Sequence, residues 1–340
     1  MYIVFGHFVQ VSTSNRWLLA LLKQHNMIVG CFFVLSGFVL AIGHKGPAFP
    51  KTLTFMRKRL SRIYWVYLFV LVLFAPMFVF IDRSAGSGNL AIAGHAAIVL
   101  TLLQAWSADW GLLWNSPTWF LSAWVFANCL FPISYRITKP LVRKQLLAGI
   151  GLIFSLLLLI RIYYTEKIGL WGIEELRPDL NWPVFNFFRF HPLFNSLEFF
   201  AGLMAGHIFK QNRLASRLSS FYVWTVGAVL LGIVVLRLWF PVNELLSRSF
   251  FMPLFLVWIY FLSFETSSVS KILSKSFFVY LGNLSFCIYV LHGALGQLFY
   301  KRIVRTWLAH DAPPFYGYLI SLLVGAIFLR HLVEKPFWKK

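Results

Sequence analysis

Long apolar runs recur along the whole chain, and each is close to the length that crosses a lipid bilayer, about 15–22 residues. Hydrophobic residues make up 59% of the sequence and charged residues only 12%, whereas soluble domains carry about 25% charged residues. A water-soluble domain with a single core is therefore excluded. The runs do not alternate in polarity, as the strands of a transmembrane barrel do. The sequence predicts an all-α fold, a polytopic bundle of transmembrane helices.

The apolar segments decide how many helices cross. They fall at 1–12, 27–43, 63–82, 90–107, 117–135, 146–164, 193–209, 221–240, 250–264, 277–299 and 315–333. The first is too short to span, and the fourth carries Gly94, His95, Gln104 and Trp106. We expect about ten spans, with 90–107 as one additional re-entrant or interfacial helix.

Lysine and arginine orient these spans, because cytoplasmic loops carry an excess of them. If 90–107 does not cross, most of the lysine and arginine residues lie on one side of the membrane. They lie in segments 44–62, 136–144, 210–217, 271–275 and 335–340. We therefore expect both termini in the cytoplasm. The same distribution explains the net charge of +20 without nucleic acid, and we expect no nucleic-acid partner.

The three cysteines, Cys31, Cys129 and Cys287, lie far apart inside apolar runs. Three isolated thiols without a CxxC spacing indicate neither a disulfide framework nor a zinc site. We expect the three cysteines to be packing residues. For the chain as a whole we expect no metal and no bound cofactor.

Ionisable groups inside spans are costly and indicate function by default. His7, Glu198 and His292 are such groups, although for His7 a hydrogen bond to a neighbouring helix is an equally good interpretation. Glu198 precedes Gly202 and Gly206, which allow close helix packing. Arg59 and Arg62 lie three residues apart on one helical face. They anchor the helix at the cytoplasmic interface or, the less favoured reading, bind a polyphosphate such as that of coenzyme A.

In order along the chain, several motifs resemble those of the membrane acyltransferase-3 family, bacterial integral-membrane O-acyltransferases that modify surface polysaccharides and other glycans. The matching features are His7, GCFFVLSGFVL at 30–40, FMRKRLSRIYWVY at 55–67, PTWFLS at 117–122, Pro192 with Glu198, Gly202 and Gly206, LGNLSFCIYVLH at 281–292 and EKPF at 334–337. Each is weak alone, but their common order makes the resemblance specific and extends it over nearly the whole chain.

The resemblance implies a single integral-membrane acyltransferase domain, residues 1–340, in the bacterial cytoplasmic membrane. It would transfer an acetyl or other short acyl group from acyl-CoA to a glycan hydroxyl. His7 would be the catalytic general base. Arg59, Arg62 and a turn at Ser36 and Gly37 would bind acyl-CoA, with the glycine permitting a close approach. Four residues would line the cavity or the acceptor site: Glu198, His292, Trp119 and Ser122.

Two features depart from the family pattern. The Arg or Lys that members carry eleven positions before the histidine would fall before Met1, so we expect the first helix to be truncated at its N-terminus. Trp124 occupies a position where many members carry Glu. Two alternatives stay open. One is a saccharide or lipid transporter. The other is a catalytically inactive family member that acts as an assembly partner.

Overall fold

The computed structural model describes residues 3–4, 26–44, 52–168, 182–211, 219–236, 249–264, 267–299 and 314–334. Within these ranges all regular structure is helical. The helices are α1 (Asn26–Gly43), α2 (Thr52–Ser84), α3 (Asn89–Leu100), α4 (Trp119–Thr138), α5 (Arg143–Ile168), α6 (Trp182–Phe190), α7 (Pro192–Gln211), α8 (Ser219–Leu236), α9 (Met252–Leu262), α10 (Ser268–Leu273), α11 (Ser276–Gln297) and α12 (Pro314–Leu329). Short 3₁₀ turns form at Gln104–Trp106, Ser116–Thr118 and Ser249–Phe251, and a π turn at Arg330–Glu334.

Every predicted apolar segment from 27–43 onward overlaps a helix, but the expected ten spans are not confirmed. In the described part, six helical segments are long and apolar enough to cross a membrane: Ile63–Ser84, Ser116–Thr138, Arg143–Tyr163, Ser219–Leu236, Ser276–Gln297 and Gly317–Glu334. α1, α3 and the helix that includes α9 are shorter. α7 has 20 residues, and Asn195, Glu198 and His207 lower its mean hydropathy. The segment 1–12 lies outside the described residues apart from Ile3 and Val4.

α3 does not cross on its own. Its 12 residues measure about 18 Å, against a hydrocarbon core of about 30 Å. It runs back along α2. His95 bonds to Asp82 near the end of α2, whereas the carbonyl of Val99 accepts from the Tyr67 hydroxyl at 2.7 Å. Tyr67 lies 17 residues before Ser84, or about 25 Å along the helix. The additional helix expected at 90–107 is therefore present and shorter than a span, and its re-entrant or interfacial position stays a prediction.

One end of the bundle gathers the first basic segments. Lys210, in the last turn of α7, donates to the carbonyl of His44 after α1, at 2.6 Å. Gln211 donates to the carbonyl of Leu141, between α4 and α5, at 2.7 Å. Phe55, in the first turn of α2, packs against α4 through Phe131. We call this the basic end, and the end at which α2 finishes the opposite end. Because α2 leaves the basic end and α4 returns to it, the segment between them does not cross.

Small residues bring α1 and α7 into close contact. A Cβ on Gly202 would lie 2.0 Å from the carbonyl oxygen of Val34, and one on Gly37 would lie 1.9 Å from that of Phe199. A Cβ on Gly206 would lie 2.5 Å from the Cβ of Ala41 and 2.9 Å from the carbonyl oxygen of Phe38. The packing role predicted for Gly202 and Gly206 is confirmed, since only glycine permits this approach.

Two large apolar clusters form on either side of α4. The first joins α2, α11 and α12 through residues such as Tyr67, Leu291 and Tyr318. The second joins α1, α4 and α7 through residues such as Phe33 and Phe199. Two further clusters extend the packing toward α5, α8 and α9. The boundary between the first two clusters, which we call the seam, positions the candidate site.

Candidate active site

Trp124 of α4 lies in the seam and packs against both clusters. Its indole Nε1 donates a 3.0 Å hydrogen bond to the hydroxyl of Ser36 on α1. The guanidinium of Arg59 on α2 lies 5.5 Å from the centre of the same ring and 5.6 Å from that of Phe55, within the range of a cation–π contact. Two residues predicted to bind the donor, Ser36 and Arg59, therefore meet on one aromatic side chain.

The turn predicted at Ser36 and Gly37 is wrong. Both residues lie inside α1, which continues to Gly43. Gly37 faces α7, where a side chain would collide with the Phe199 carbonyl. Its lack of a side chain therefore serves helix packing, whereas Ser36, the next residue round the helix, turns to Trp124. A contact of either residue with acyl-CoA stays a prediction.

Two further residues predicted for the site are Arg62 and His7. Arg62 belongs to α2, three residues after Arg59, but its side chain lies outside what the structure describes. His7 also lies outside the described residues. Two residues shortly before it are placed: Ile3 packs against the second apolar cluster, and Val4, 2% exposed, belongs to the first. Residues 3–4 therefore lie in the seam.

His292 is buried in α11, on the first cluster's side of the seam. Its Nδ1 is bonded to the backbone carbonyl of Tyr289, and its own carbonyl accepts from the Tyr318 hydroxyl at 3.0 Å. Since a carbonyl only accepts, Nδ1 carries the proton and the lone pair of the neutral ring lies on Nε2. That tautomer can accept a proton through Nε2.

The turn before α4 is tied to α11 at several points. Asn115 donates from Nδ2 to the carbonyl of Val290 at 2.9 Å, and the hydroxyl of Tyr289 donates to the carbonyl of Pro117. Pro117 also packs against Gly293, where a Cβ would lie 2.5 Å from its ring. These contacts hold the segment PTWFLS beside His292.

Trp119 and Ser122, predicted to line the acceptor site, are both buried in α4. The Trp119 ring lies 4.7 Å from that of Phe190, which ties α4 to α6. The Ser122 hydroxyl has no hydrogen-bond partner among the described residues, although its side chain is 1% exposed. Within the described ranges, α4 thus carries a buried hydroxyl without a hydrogen-bond partner, three residues from Trp119.

Glu198 lies in a different interface from the seam. It is 1% exposed, and its Oε1 accepts a hydrogen bond from Ser249 at 2.9 Å. Both carboxylate oxygens would lie 3.1 Å from a Cβ on Gly30. The glycine makes room for the carboxylate between α1 and α7. A role of Glu198 in lining the substrate cavity stays a prediction.

A polar aromatic group at the basic end was not predicted from the sequence. The Tyr135 ring lies 4.9 Å from that of His44 and 4.7 Å from that of His207. Lys210 lies over the same ring, and Lys139 is close enough for its charge to act on both His207 and Lys210. These residues come from the ends of α1, α4 and α7. In the sequence, the one feature that could have indicated this group is that its members lie at the ends of three apolar runs.

No group of three His, Cys, Asp or Glu side chains in the described ranges is placed to hold a metal ion. The three cysteines are free thiols, and Cys287 is buried.

Nearly the whole chain is similar to known proteins. A family described as "Acyltransferase domain", acyltransferase 3, matches residues 1–331. Acyltransferase MdmB of Streptomyces mycarofaciens is 23% identical over 346 residues, which cover 96% of this chain and 84% of MdmB. No solved structure matches.

Proposed function

Because the chain belongs to the membrane acyltransferase-3 family, we propose that it transfers an acetyl or other short acyl group from acyl-CoA to a hydroxyl of a glycan. The observation that carries this proposal is the convergence of Arg59 and Ser36 on Trp124. The similarity to a protein named as an acyltransferase supports acyl transfer as the reaction class. The acyl-CoA donor and the glycan acceptor are the proposal's own content.

The charge distribution supports a polyphosphate donor at the basic end. Arg59 is half-buried, stacked on aromatic rings and placed just before the apolar part of α2. A planar guanidinium in such a place can pair with phosphate through two parallel hydrogen bonds. Lys210 and Lys139 add positive charge nearby at the same end. We propose that the phosphates of acyl-CoA bind here, with the thioester directed along the seam toward the interior.

The chemical step requires a base in the interior of the bundle. We propose that His7 takes the proton from the acceptor hydroxyl as its oxygen attacks the thioester carbonyl. A new ester C–O bond forms, the C–S bond breaks, and the departing thiolate of CoA receives the proton. Attack through a transient acyl-histidine gives the same products. The placement of Ile3 and Val4 in the seam supports a base close to the residues that meet there.

A transfer assay in isolated membranes tests the proposed function. Membranes from cells that make the full chain are incubated with radiolabelled acetyl-CoA, and label is counted in the glycan fraction; membranes without the chain serve as the control. We expect label in the glycan. With acetyl-CoA kept below its KM, Arg59→Ala should lose at least about tenfold of this label, the size of one hydrogen bond to a charged group. Glycan that stays unlabelled while the chain is present would overturn the proposal. Saccharide movement without acyl-CoA would point to a transporter instead.

A further inference from the structure

A cavity of about 260 Å³ opens at the opposite end of the bundle, away from the basic end. It lies where α2 finishes, and its walls come from α2, the segment 109–114 and the last residue of α11. The residues of interest in its lining are Phe78, Asp82, Asp109, Trp114 and Gln297. Small-molecule sites typically measure about 300–1,000 Å³, so this cavity suits a single small ring.

Asp82 is fixed in the cavity wall. It is 9% exposed, and its Oδ2 accepts hydrogen bonds from Nδ1 of His95 and from Nε1 of Trp114, both at 2.9 Å. These bonds hold the carboxylate in one orientation. An ionised carboxylate accepts at both oxygens, and no hydrogen bond to Oδ1 forms within the described part of the chain. Asp109, exposed at the rim, adds a second carboxylate.

Two carboxylates in one small cavity stand out against the charge of this chain. The sequence has 31 Lys and Arg and only 11 Asp and Glu. Five of these acids fall in the described ranges, and two of the five line this cavity. Among the described residues that line it, none is Lys or Arg. The cavity therefore disfavours a phosphate and favours a ligand that donates hydrogen bonds.

An aromatic wall lies beside the carboxylates. The indole of Trp114 stacks on Phe78 with the ring centres 5.4 Å apart and the planes 17° from parallel. A flat aromatic face next to the fixed Asp82 carboxylate, the rim carboxylate of Asp109 and the amide of Gln297 suits a sugar ring. The apolar face of the sugar packs on the ring, and its hydroxyls donate to the carboxylates.

Two consecutive residues, Trp114 and Asn115, connect the cavity to the seam. Gln297 donates from Nε2 to the carbonyl of Trp114 at 2.9 Å. One residue further, Asn115 donates to the carbonyl of Val290, two residues before His292. The same short segment therefore lines the cavity and packs beside the buried histidine.

We propose that this cavity is the acceptor subsite, holding one sugar ring of the glycan through its hydroxyls. The inference rests on the proposed function, because it assigns the acceptor of that reaction. Donor and acceptor would then approach the seam from opposite ends of the bundle.

Binding of simple glycosides tests the subsite directly. The full chain is placed in phosphatidylcholine nanodiscs, and saturation-transfer NMR is recorded with methyl β-D-glucopyranoside, methyl N-acetyl-β-D-glucosaminide and methyl β-D-galactopyranoside. We expect saturation of at least one of them. Leu112→Trp, which fills the cavity from an exposed lining position, and Asp109→Asn should each weaken binding about tenfold. Glu166→Gln, an exposed carboxylate of α5 outside the cavity, is the matched control and should bind as the unaltered chain does.

The subsite is overturned if none of the three glycosides is saturated, or if Leu112→Trp binds them as strongly as the unaltered chain. Release of free thiol from acetyl-CoA is measured on the same samples. Thiol release that persists when glycoside binding fails this test leaves the proposed acyltransferase intact and removes only the subsite. If thiol release and transfer to the glycan are both absent, the proposed function itself fails.

Discussion

The guanidinium of Arg59 lies 5.5 Å from the centre of the Trp124 indole. The two residues belong to α2 and α4, and the edge of the same indole donates to Ser36 of α1. A cationic group is thus presented on a rigid aromatic platform that three helices share. This arrangement orients the guanidinium before any ligand arrives, and such preorganisation lowers the entropy lost on binding.

Substitution of Arg59 should weaken donor binding more than it slows the chemical step. We expect Arg59→Ala to raise the KM for acetyl-CoA about tenfold or more, with kcat within about threefold, since an interaction made equally in ground and transition states changes KM alone. Arg59→Lys should fall between, because lysine keeps the charge but not the planar donors. Arg57→Ala, an exposed neighbour on α2, is the control. A fall in kcat at unchanged KM would contradict this role.

Ser36 and Trp124 should act as a unit. Ser36→Ala and Trp124→Phe each remove the 3.0 Å hydrogen bond between them, which contributes about 0.5–1.5 kcal/mol. The free energy of unfolding in detergent should therefore fall by no more in the double variant than in Trp124→Phe, a coupling that a double-mutant cycle measures. Fully additive effects would show that the two side chains do not interact.

The contact between α1 and α7 should tolerate no side chain at position 202. Gly202→Ala places a Cβ only 2.0 Å from the Val34 carbonyl oxygen, so the helices must separate. We expect a loss of about 1–3 kcal/mol and a lower Tm by intrinsic fluorescence. Gly232→Ala on α8, where a Cβ meets nothing within 4 Å, is the matched control and should gain about 0.5–1 kcal/mol. Equal Tm values for the two variants would disprove the close packing.

Two substitutions distinguish the charge of Glu198 from its hydrogen bond as the source of its contribution to stability. Glu198→Gln keeps an oxygen that can accept from Ser249 and fits the space beside Gly30, so we expect Tm to change little. Ser249→Ala leaves the buried carboxylate without that donor, which costs about 1–3 kcal/mol, and should lower Tm more. If Glu198→Gln unfolds the protein, the charge itself stabilises this interface.

The sequence predicted the helical bundle, the shared end of the first basic segments and the packing glycines, because each leaves a local signature in hydropathy, charge or spacing. It did not predict the lateral contacts. Nothing along the chain indicates that Trp124 meets both Ser36 and Arg59, which lie 88 and 65 positions earlier. The helical course of Ser36 and Gly37 was missed because a glycine that permits a turn also permits close helix packing, and only the neighbour α7 decides between them. The cavity beside Asp82 was missed for the same reason, since its walls come from three separate segments.

Acyl transfer by the purified chain is the most direct test of the account. The full chain in nanodiscs is given acetyl-CoA labelled in the acetyl group, together with glycan from cells that lack the gene, and label is measured in the glycan as an ester that mild alkali removes. We predict transfer by the unaltered chain and at least about a hundredfold loss with His7→Ala, as expected for a general acid–base residue. Transfer undiminished in His7→Ala would contradict the proposed mechanism, and an unlabelled glycan with the unaltered chain would contradict the proposed function.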